Sequence, residues 1–208
     1  MCARLAPALS ETAFVSRILL VRHAEADGHD EVDPALSPLG VRQAEALAGR
    51  LAGENIRQVL TSPRRRARQT ADLIARRIGR SATSSDLLED RTPTPCAPRW
   101  NDYPSHRWEW LRDVPDDERD EDGVMLSAAW SRIVEQCSEV GWLSADETLV
   151  LVTHAFVVSW FVCRALDAPP AAWMLLPVAN ASITELAARP HGEYAVVGFN
   201  DVGHLVRH

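Results

Sequence analysis

Two uninterrupted aliphatic runs limit what this chain can fold into. They occupy residues 18–21 and 149–152, and Thr148 begins the predicted strand 148–152. A histidine follows each run within two residues, His23 after the first and His154 after the second. Runs of this length and composition are typical of strands buried on both faces, as in a parallel sheet covered by helices. The carboxyl ends of parallel strands meet at one edge of the sheet, where open α/β folds bind ligands. We therefore expect both histidines at a single ligand-binding edge.

The sequence after the first strand alternates helix and strand signals. Ser37 precedes a proline and predicts the N-cap of a helix that ends near residue 53. A short strand is expected at 59–60, and a second helix follows the next Ser-Pro pair and runs to residue 78, where Gly79 ends it. This alternation predicts parallel βαβ units.

The carboxyl-terminal half continues the pattern. Helical periodicity covers residues 123–140, and an apolar helix is expected at 155–166, directly after the second buried strand. Two closing strands are expected at 181–188 and 195–199. The predicted fold class is therefore α/β, a three-layer, doubly wound and mostly parallel sheet.

Residues 85–122 interrupt this pattern. They hold many prolines, the tryptophans Trp100, Trp108 and Trp110, and an acidic run at 116–122. Because a structureless connection this long is unusual in a compact domain, we predict a partly helical insertion that acts as a cap. We expect the tryptophans in a core and the acidic run on a solvated face.

The size of the chain predicts a single domain. At 208 residues the sequence is of ordinary length for one domain that contains an inserted segment. We assign residues 17–208 to this domain and residues 1–16 to a flexible amino terminus.

The charged residues exclude several classes of function. The net charge is −7, which argues against a nucleic-acid-binding or membrane-binding surface, since both need a basic face. All 22 basic residues are arginine. The absence of lysine excludes Schiff-base chemistry and the Walker-type phosphate loop. Arginine, whose planar fork suits phosphate oxygens, is left as the strong anion ligand.

The four cysteines are far apart in sequence and form no Cys-x-x-Cys pair: Cys2, Cys96, Cys137 and Cys163. We expect reduced thiols rather than a disulfide framework or a zinc site. Residues 1–16 are too polar for a signal-peptide core, and no apolar run approaches the roughly 20 residues that a membrane span needs. These features predict a cytoplasmic protein without a membrane partner.

A cluster of arginines follows the second predicted strand. Residues 61–71 open a helix whose first turn points to the same edge as the two histidines, where free N–H groups attract anions. The arginines point in different directions around this helix: Arg64, Arg65, Arg66 and Arg68. We expect one of them to point inward and bind an anion, and the others to face water.

Four motifs together resemble those of the histidine phosphatase, or phosphoglycerate mutase-like, superfamily. Residues 22–25 (Arg-His-Ala-Glu) resemble its Arg-His-Gly/Ala-Glu signature. Residues 36–44 resemble its Leu-Ser-x-x-Gly-x-x-Gln-Ala helix, and residues 62–71 match Ser-Pro-x-x-Arg-Ala-x-Gln-Thr-Ala. Residues 152–155 (Val-Thr-His-Ala) resemble its second-histidine motif. The matches occur in order over residues 17–203, and together they imply the family fold.

The resemblance also implies roles for individual residues. His23 would attack phosphorus and form a phosphohistidine, because a neutral imidazole is a competent nucleophile when its other nitrogen is held by a hydrogen bond. Arg22, Arg66 and His154 would surround the phosphoryl oxygens, where arginine and imidazolium supply the positive charge. This arrangement implies neither a metal nor any other cofactor.

The proton donor is assigned by comparing the two branches of the family. One branch has an aspartate directly after the second histidine, but here that residue is Ala155, which implies branch 1. In that branch a glutamate after the third strand is the acid and base, and Glu89 in Leu-Leu-Glu fits, although the usual Gly-x-Trp-Glu-Gly sequence is absent. Candidate substrate contacts are His29, Glu25 and Ala155. We expect Glu25 to order its loop rather than to transfer a proton.

The carboxyl-terminal part is similar to one subgroup, the mitochondrial serine/threonine protein phosphatases of the superfamily. The similarity includes residues 162–170, Trp173 and residues 180–184. The amino-terminal membrane anchor of that subgroup is missing, so we expect the catalytic domain alone.

Three functions remain open from the sequence. The first is a metal-independent phosphomonoester hydrolase acting on a small phosphorylated metabolite or on phosphoserine or phosphothreonine. The alternatives are a phosphoglycerate mutase, which the lack of a longer insertion disfavours, and a non-catalytic module that binds a phosphorylated partner. No nucleic-acid partner is expected, and a homodimer is left open.

Overall fold

The computed structural model of the chain describes residues 17–28, 32–138, 146–189 and 192–205. The strands are β1 Arg17–Arg22, β2 Ile56–Thr61, β3 Ala82–Ser84, β4 Thr92–Thr94, β5 Arg119–Glu121, β6 Thr148–Thr153, β7 Ile183–Ala188 and β8 Tyr194–Asp201. The helices are α1 Pro38–Leu51, α2 Arg65–Arg77, α3 Ser105–Trp108, α4 Val124–Ser138 and α5 Ala155–Ala165. The predicted flexible terminus, residues 1–16, lies outside the described residues.

A six-stranded sheet in the order β3-β2-β6-β1-β7-β8 forms the centre of the molecule. The first four strands in this order are parallel, and β7 and β8 are added antiparallel at one edge. The predicted α/β class with a mostly parallel sheet is confirmed. The sequence indicated the two closing strands but carried no signal for their direction.

The sheet separates two layers of hydrophobic core. Side chains alternate along β1 and β6, so Leu20 and Leu151 pack with α4 and α5 on one face, while Val21 and Val152 pack with α1 and α2 on the other. All four are fully buried, and burial of such a side chain stabilises the fold by about 1.5–3 kcal/mol. This two-sided burial explains why both strands are continuously aliphatic.

The predicted helix starts are correct in one case and displaced in the other. Ser37 is the N-cap of α1, and its Oγ accepts a hydrogen bond from Gly40 N–H at 2.9 Å. Helix α2 begins only at Arg65, because the Ser62 hydroxyl accepts from Arg64 N–H in the turn before the helix and also contacts the second histidine. Gly79 ends α2 with a left-handed φ of 68°, as its position predicts.

The insertion is partly helical, as expected. It contains the short helix α3, 3-10 turns at Asp86–Leu88, Ala97–Asp102 and Glu109–Asp113, and a two-stranded parallel sheet of β4 and β5. Trp108 is buried in the larger core, as predicted. Trp110 is 44% exposed, so the expectation that it lies in a core is wrong.

One member of the acidic run is buried, contrary to expectation. Asp120 is only 2% exposed, and its two carboxylate oxygens accept hydrogen bonds from the N–H groups of Met125 and Leu126, each at 2.9 Å. A carboxylate at this position satisfies amides that the first turn of a helix leaves without partners, and it complements the helix dipole. Asp120 is therefore the cap of α4 rather than part of a solvated face.

Candidate active site

The register of β1 and β6 places the two histidines side by side. Arg22 lies opposite Thr153 in the parallel pair, so the following residues, His23 and His154, leave the sheet together. The His23 N–H donates to Thr153 O at 2.8 Å. The ring centroids of the histidines are 5.1 Å apart with an interplanar angle of 61°, and both rings are buried.

Two contacts define the tautomer of His23. Its Nδ1 lies 2.7 Å from Ala24 O, and since a carbonyl oxygen only accepts, the proton is on Nδ1. The Nε2 atom accepts from Arg66 Nε–H at 3.3 Å and therefore carries the lone pair. Burial, followed by the proximity of His154, lowers the pKa of His23 to about 3. The ring is thus neutral near pH 7, with an unprotonated Nε2 whose lone pair is directed at the Arg66 guanidinium.

Arg66 lies on the first turn of α2 and points inward. Its NH2 atom lies 2.5 Å from Asp90 Oδ2, in addition to the bond from its Nε–H to His23. The Thr70 hydroxyl donates to Arg66 O at 2.8 Å and accepts from Ala24 N–H at 3.1 Å. This threonine therefore connects the helix that carries Arg66 to the loop that carries His23.

The other arginines of α2 divide into two groups. Arg64 is half-buried and its Nε–H donates to Glu89 Oε1 at 2.6 Å, whereas Arg65 and Arg68 are exposed. Two arginines, Arg64 and Arg66, therefore turn towards the site, where the sequence predicted one.

His154 is held by a serine and faces a carboxylate. Its Nε2 lies 2.8 Å from Ser62 Oγ, and the same oxygen accepts from Arg64 N–H. The Nδ1 atom of His154 lies 3.1 Å from Asp90 Oδ2 at an angle outside that of a hydrogen bond. Burial, with the charges of Arg66, Arg64 and Arg22, lowers the pKa of His154 well below its usual value. The imidazolium expected from the sequence is therefore neutral here.

Arg22 is fixed by the segment that precedes β7. Its NH1 donates to Val178 O at 2.6 Å, and Asn180 Nδ2 donates to His23 O at 3.1 Å. Burial lowers the pKa of Arg22, partly offset by the Asp90 charge, and Arg66 lowers it further. Within the described part of the chain, the buried Nε of Arg22 has no hydrogen-bond partner. This donor is available to an anion.

The structure places Asp90, rather than the predicted Glu89, against the cationic groups. A single oxygen of Asp90 contacts both Arg66 and His154. Glu89 has different partners, because its Oε1 accepts from Arg64 Nε–H and from the backbone N–H of Asp90, the latter at 2.9 Å.

The backbone explains this difference of one residue. A 3-10 turn ends at Leu88, which is fully buried and whose carbonyl accepts from the Thr153 hydroxyl at 2.8 Å. Glu89 follows in an extended conformation, with φ −58° and ψ 148°. These angles are those of polyproline II, in which successive side chains are about a third of a turn apart. The two carboxylates therefore point in different directions, and that of Asp90 contacts His154. Two adjacent acidic residues in the sequence did not reveal which one it would be.

The three candidate substrate contacts have different outcomes. His29 lies outside the described residues. Glu25 Oε1 accepts from the Ser37 hydroxyl at 2.8 Å, and its N–H donates to Gln43 Oε1 at 2.9 Å, so it orders the loop as expected. A Cβ at Gly40 would lie 1.9 Å from Glu25 O, which explains the glycine in α1. Ala155 lines a cavity beside the histidines.

This cavity opens next to Arg22 and has a volume of about 590 Å³. Its wall comes from the insertion, from α5 and from the segment before β7. The lining residues are Arg22, His106, Arg107, Trp110, Ala155, Phe156, Ser159, Trp173, Met174, Leu176, Pro177 and Val178.

The donors around His23 are arranged for an anion rather than for a metal ion. Within residues 17–28, 32–138, 146–189 and 192–205, no group of three or more His, Cys, Asp or Glu side chains could hold a metal. Arg66 instead donates to the Nε2 lone pair of His23, and Arg22, the residue before His23, has a buried Nε without a partner among the described residues. The arrangement provides a nucleophile, cationic oxygen ligands and one carboxyl group, the components of phosphoryl transfer.

Comparison with known proteins agrees with this class of site. Residues 18–202 match the histidine phosphatase superfamily, branch 1, and the chain belongs to that family. The human mitochondrial serine/threonine-protein phosphatase PGAM5 is 34% identical over 193 residues, which cover 90% of this chain and 63% of that protein. The corresponding protein of Caenorhabditis elegans is 33% identical over the same lengths. The chain thus spans less than two thirds of these relatives.

Solved structures show the same fold. A mycobacterial glucosyl-3-phosphoglycerate phosphatase in complex with VO3 has a TM-score of 0.68 and 25% identity, over 88% of this chain and 98% of that one. A phosphoserine phosphatase from Entamoeba histolytica has a TM-score of 0.70 and 20% identity, over 92% and 100% of the two chains.

Proposed function

We propose that the protein is a metal-independent phosphomonoester hydrolase that works through a phosphohistidine on His23. The observation that carries this proposal is the neutral His23 ring, whose Nε2 lone pair faces Arg66 within a buried group of cations. An uncharged imidazole needs no base to activate it, and the fixed arginines would stabilise charge on the phosphoryl oxygens.

The substrate's oxygens would replace Asp90 as the partner of the cationic groups. One oxygen of Asp90 contacts Arg66 and His154, and within the described ranges the buried Nε of Arg22 has no hydrogen-bond partner. A phosphoryl group placed over His23 Nε2 would take hydrogen bonds from all three. Its negative charge would also favour the imidazolium form of His154.

Hydrolysis would proceed in two balanced steps. A phosphomonoester monoanion would give its proton to the Asp90 carboxylate that it displaces from Arg66. His23 Nε2 then forms a bond to phosphorus while the ester P–O bond breaks, and the leaving oxygen takes that proton from Asp90. A water molecule then attacks phosphorus, Asp90 takes its proton, and the P–N bond breaks to release inorganic phosphate. One carboxyl group serves as acid and then as base. We assign this role to Asp90 in place of Glu89 because of its contacts.

The relatives support substrates of two kinds. The curated relatives are named as protein phosphatases, whereas the 25% identical structure is named for a phosphorylated sugar acid. We accordingly propose a small phosphorylated metabolite or a phosphoserine or phosphothreonine side chain as the substrate.

The test is phosphate release from an aryl phosphate in excess EDTA, with the wild type beside His23→Ala. We expect activity that is unaffected by EDTA and is abolished by the substitution. Loss of wild-type activity in EDTA, with recovery on adding a divalent cation, would contradict metal independence. Activity only after addition of 2,3-bisphosphoglycerate would indicate a mutase, and phosphate binding without turnover would indicate a binding module.

We also propose that the protein acts in the cytoplasm. Cys96, Cys137 and Cys163 are free thiols, which suits a reducing compartment. In the ranges that the structure describes, no helix has the length and apolar character needed to cross a membrane. The relatives named above are mitochondrial, so imaging of a tagged chain, with a mitochondrial marker beside it, tests this proposal directly.

A further inference from the structure

The cavity beside Arg22 has an aromatic wall. Trp110, Phe156 and Trp173 are in mutual contact, with ring centroids 5.6 Å apart for Trp110 and Phe156, 6.2 Å for Trp110 and Trp173, and 5.1 Å for Phe156 and Trp173. Met174, Leu176 and neighbouring aliphatic groups complete the wall. Trp110 is 44% exposed, so a ring from outside has an accessible aromatic face against which to pack.

This cavity adjoins the phosphoryl site at Arg22. Arg22 lines the cavity and directly precedes His23 in the sequence. Ala155, which follows His154, lines it as well, and Val178 both lines it and holds Arg22 through its carbonyl. A phosphomonoester bound over His23 would therefore have the aromatic wall beside its phosphate, where the alcohol part has to lie.

The cavity offers few partners to a polar alcohol. Among the described residues, Ser159 is the one neutral hydroxyl in the lining. Its Oγ already lies within hydrogen-bonding distance of two backbone oxygens, 2.9 Å from Ala155 O and 2.8 Å from Leu176 O. The carbonyl of Val178 is taken by Arg22. In the part of the chain that the structure describes, the lining contains no carboxylate, and its charged groups are Arg22 and Arg107, with His106 beside them. These groups can donate hydrogen bonds, but the rings and aliphatic side chains of the wall cannot. A polyhydroxylated alcohol lying against the wall would therefore lose bonds to water there, which costs free energy.

We propose, on the basis of the function proposed above, that the substrate carries an aromatic or bulky apolar group directly beside its phosphate. This group would pack against Trp110 and Phe156, which the buried Trp173 supports from behind. It belongs either to a free phosphomonoester or to a side chain next to a phosphoserine or phosphothreonine in a peptide. Both kinds of substrate would present an apolar ring close to the phosphoryl group that binds over His23.

The experiment compares pairs of substrates whose leaving groups have similar acidity. Benzyl phosphate is measured against ethyl phosphate, and a short phosphoserine peptide with a flanking phenylalanine against the same peptide with alanine. We expect kcat/KM to be about tenfold higher or more for the ring-bearing member of at least one pair, as for other contacts in a hydrophobic pocket. The pair with the larger preference identifies the source, a free ester or a peptide.

Variants distinguish the cavity from general hydrophobic binding. Trp110→Ala should reduce the preference for the ring-bearing substrate to near unity, because only that substrate loses a contact with the missing ring. Trp100→Ala is the matched control, because Trp100 packs on Trp108 in the insertion and is not part of the cavity lining. If Trp110→Ala fails to fold, Phe156→Leu removes a second ring of the same wall.

The proposal is overturned if the wild type hydrolyses these esters without preferring the ring in either pair, or if the preference survives loss of Trp110 or Phe156. It is also overturned if Trp100→Ala abolishes the preference to the same extent. If the protein is not a phosphomonoester hydrolase at all, no ester of either pair will release phosphate, which distinguishes that result from a mere lack of preference for the ring.

Discussion

Replacing Asp90 with asparagine should change catalysis and phosphate affinity in opposite directions. Its carboxylate lies 2.5 Å from the Arg66 guanidinium and 3.1 Å from His154 Nδ1. As the proton donor it would assist departure of the leaving group. As the partner of Arg66 it competes with the phosphoryl oxygens that need the same guanidinium. The Asp90→Asn substitution would remove both effects while nearly preserving the size of the side chain.

The magnitudes follow from these two roles. Loss of a general acid costs about 10²- to 10⁴-fold, or about 2.7–5.4 kcal/mol of barrier, for a substrate with a poor leaving group such as ethyl phosphate. An activated aryl phosphate, whose leaving group needs no proton, should form the phosphoenzyme at a rate near that of the wild type. A hydrogen bond to a charged group contributes about 1.5–3 kcal/mol. Release of Arg66 should therefore tighten binding of inorganic phosphate by about ten- to a hundredfold.

The assay is single-turnover formation of the phosphoenzyme from both substrates, together with inhibition by inorganic phosphate. Glu89→Gln is the matched control, since it removes the adjacent carboxylate that pairs with Arg64. We expect this variant to stay within about threefold of the wild type in both measurements, as for a partly exposed ion pair. Equal losses on both substrates in Asp90→Asn, or a larger loss dependent on the leaving group in Glu89→Gln, would refute the assignment of Asp90.

Three further predictions concern the groups around His23. Arg66→Lys should lower kcat/KM about 10²- to 10³-fold, since a lysine cannot reproduce the planar fork that contacts His23 and Asp90; an unchanged steady-state rate would contradict this. Ser62→Ala leaves His154 Nε2 without its partner and should lower the free energy of unfolding by about 1–3 kcal/mol in urea titrations, whereas a neutral effect would remove Ser62 from its positioning role. Folding lowers the pKa of His23 from 6.5 to about 3, so between these pH values the unfolded chain binds more protons than the folded chain. The free energy of unfolding should therefore fall as the pH decreases through this window. His23→Gln should make urea unfolding less dependent on pH there, and an unchanged dependence would argue against a buried neutral His23.

The central part of the fold was predictable because its signals are local. Two aliphatic runs define β1 and β6, and the parallel register then places His23 and His154 together. The Ser37 cap and the Gly79 stop follow from backbone chemistry within a few residues. These features depend on short stretches of sequence, so pattern and propensity were sufficient.

The parts that were missed depend on contacts between distant segments. Glu89 and Asp90 look equivalent in the sequence, and only the buried Leu88 and its bond to Thr153 determine which one turns towards the histidines. The antiparallel direction of β7 and β8 likewise depends on how the chain returns to the sheet edge. Asn180 had no signal as a site residue, although it holds the carbonyl of His23.

The exposure of Trp110 is a tertiary feature of the same kind. It lies two residues after the buried Trp108, in a turn whose direction the local sequence did not reveal. Tryptophan side chains are highly buried on average, so residue type alone predicts a core position for Trp110. The cavity wall that it forms was therefore not predictable from the sequence.

The central claim is that His23 carries the phosphoryl group. The most direct test is to mix the enzyme with a substrate labelled in its phosphate, quench in alkali during turnover and locate the label by peptide mapping. We expect an acid-labile, base-stable phosphoramidate on the peptide that contains His23, absent in His23→Ala. Turnover without a labelled protein, or a label on His154 or on a carboxylate, would contradict a phosphohistidine on His23.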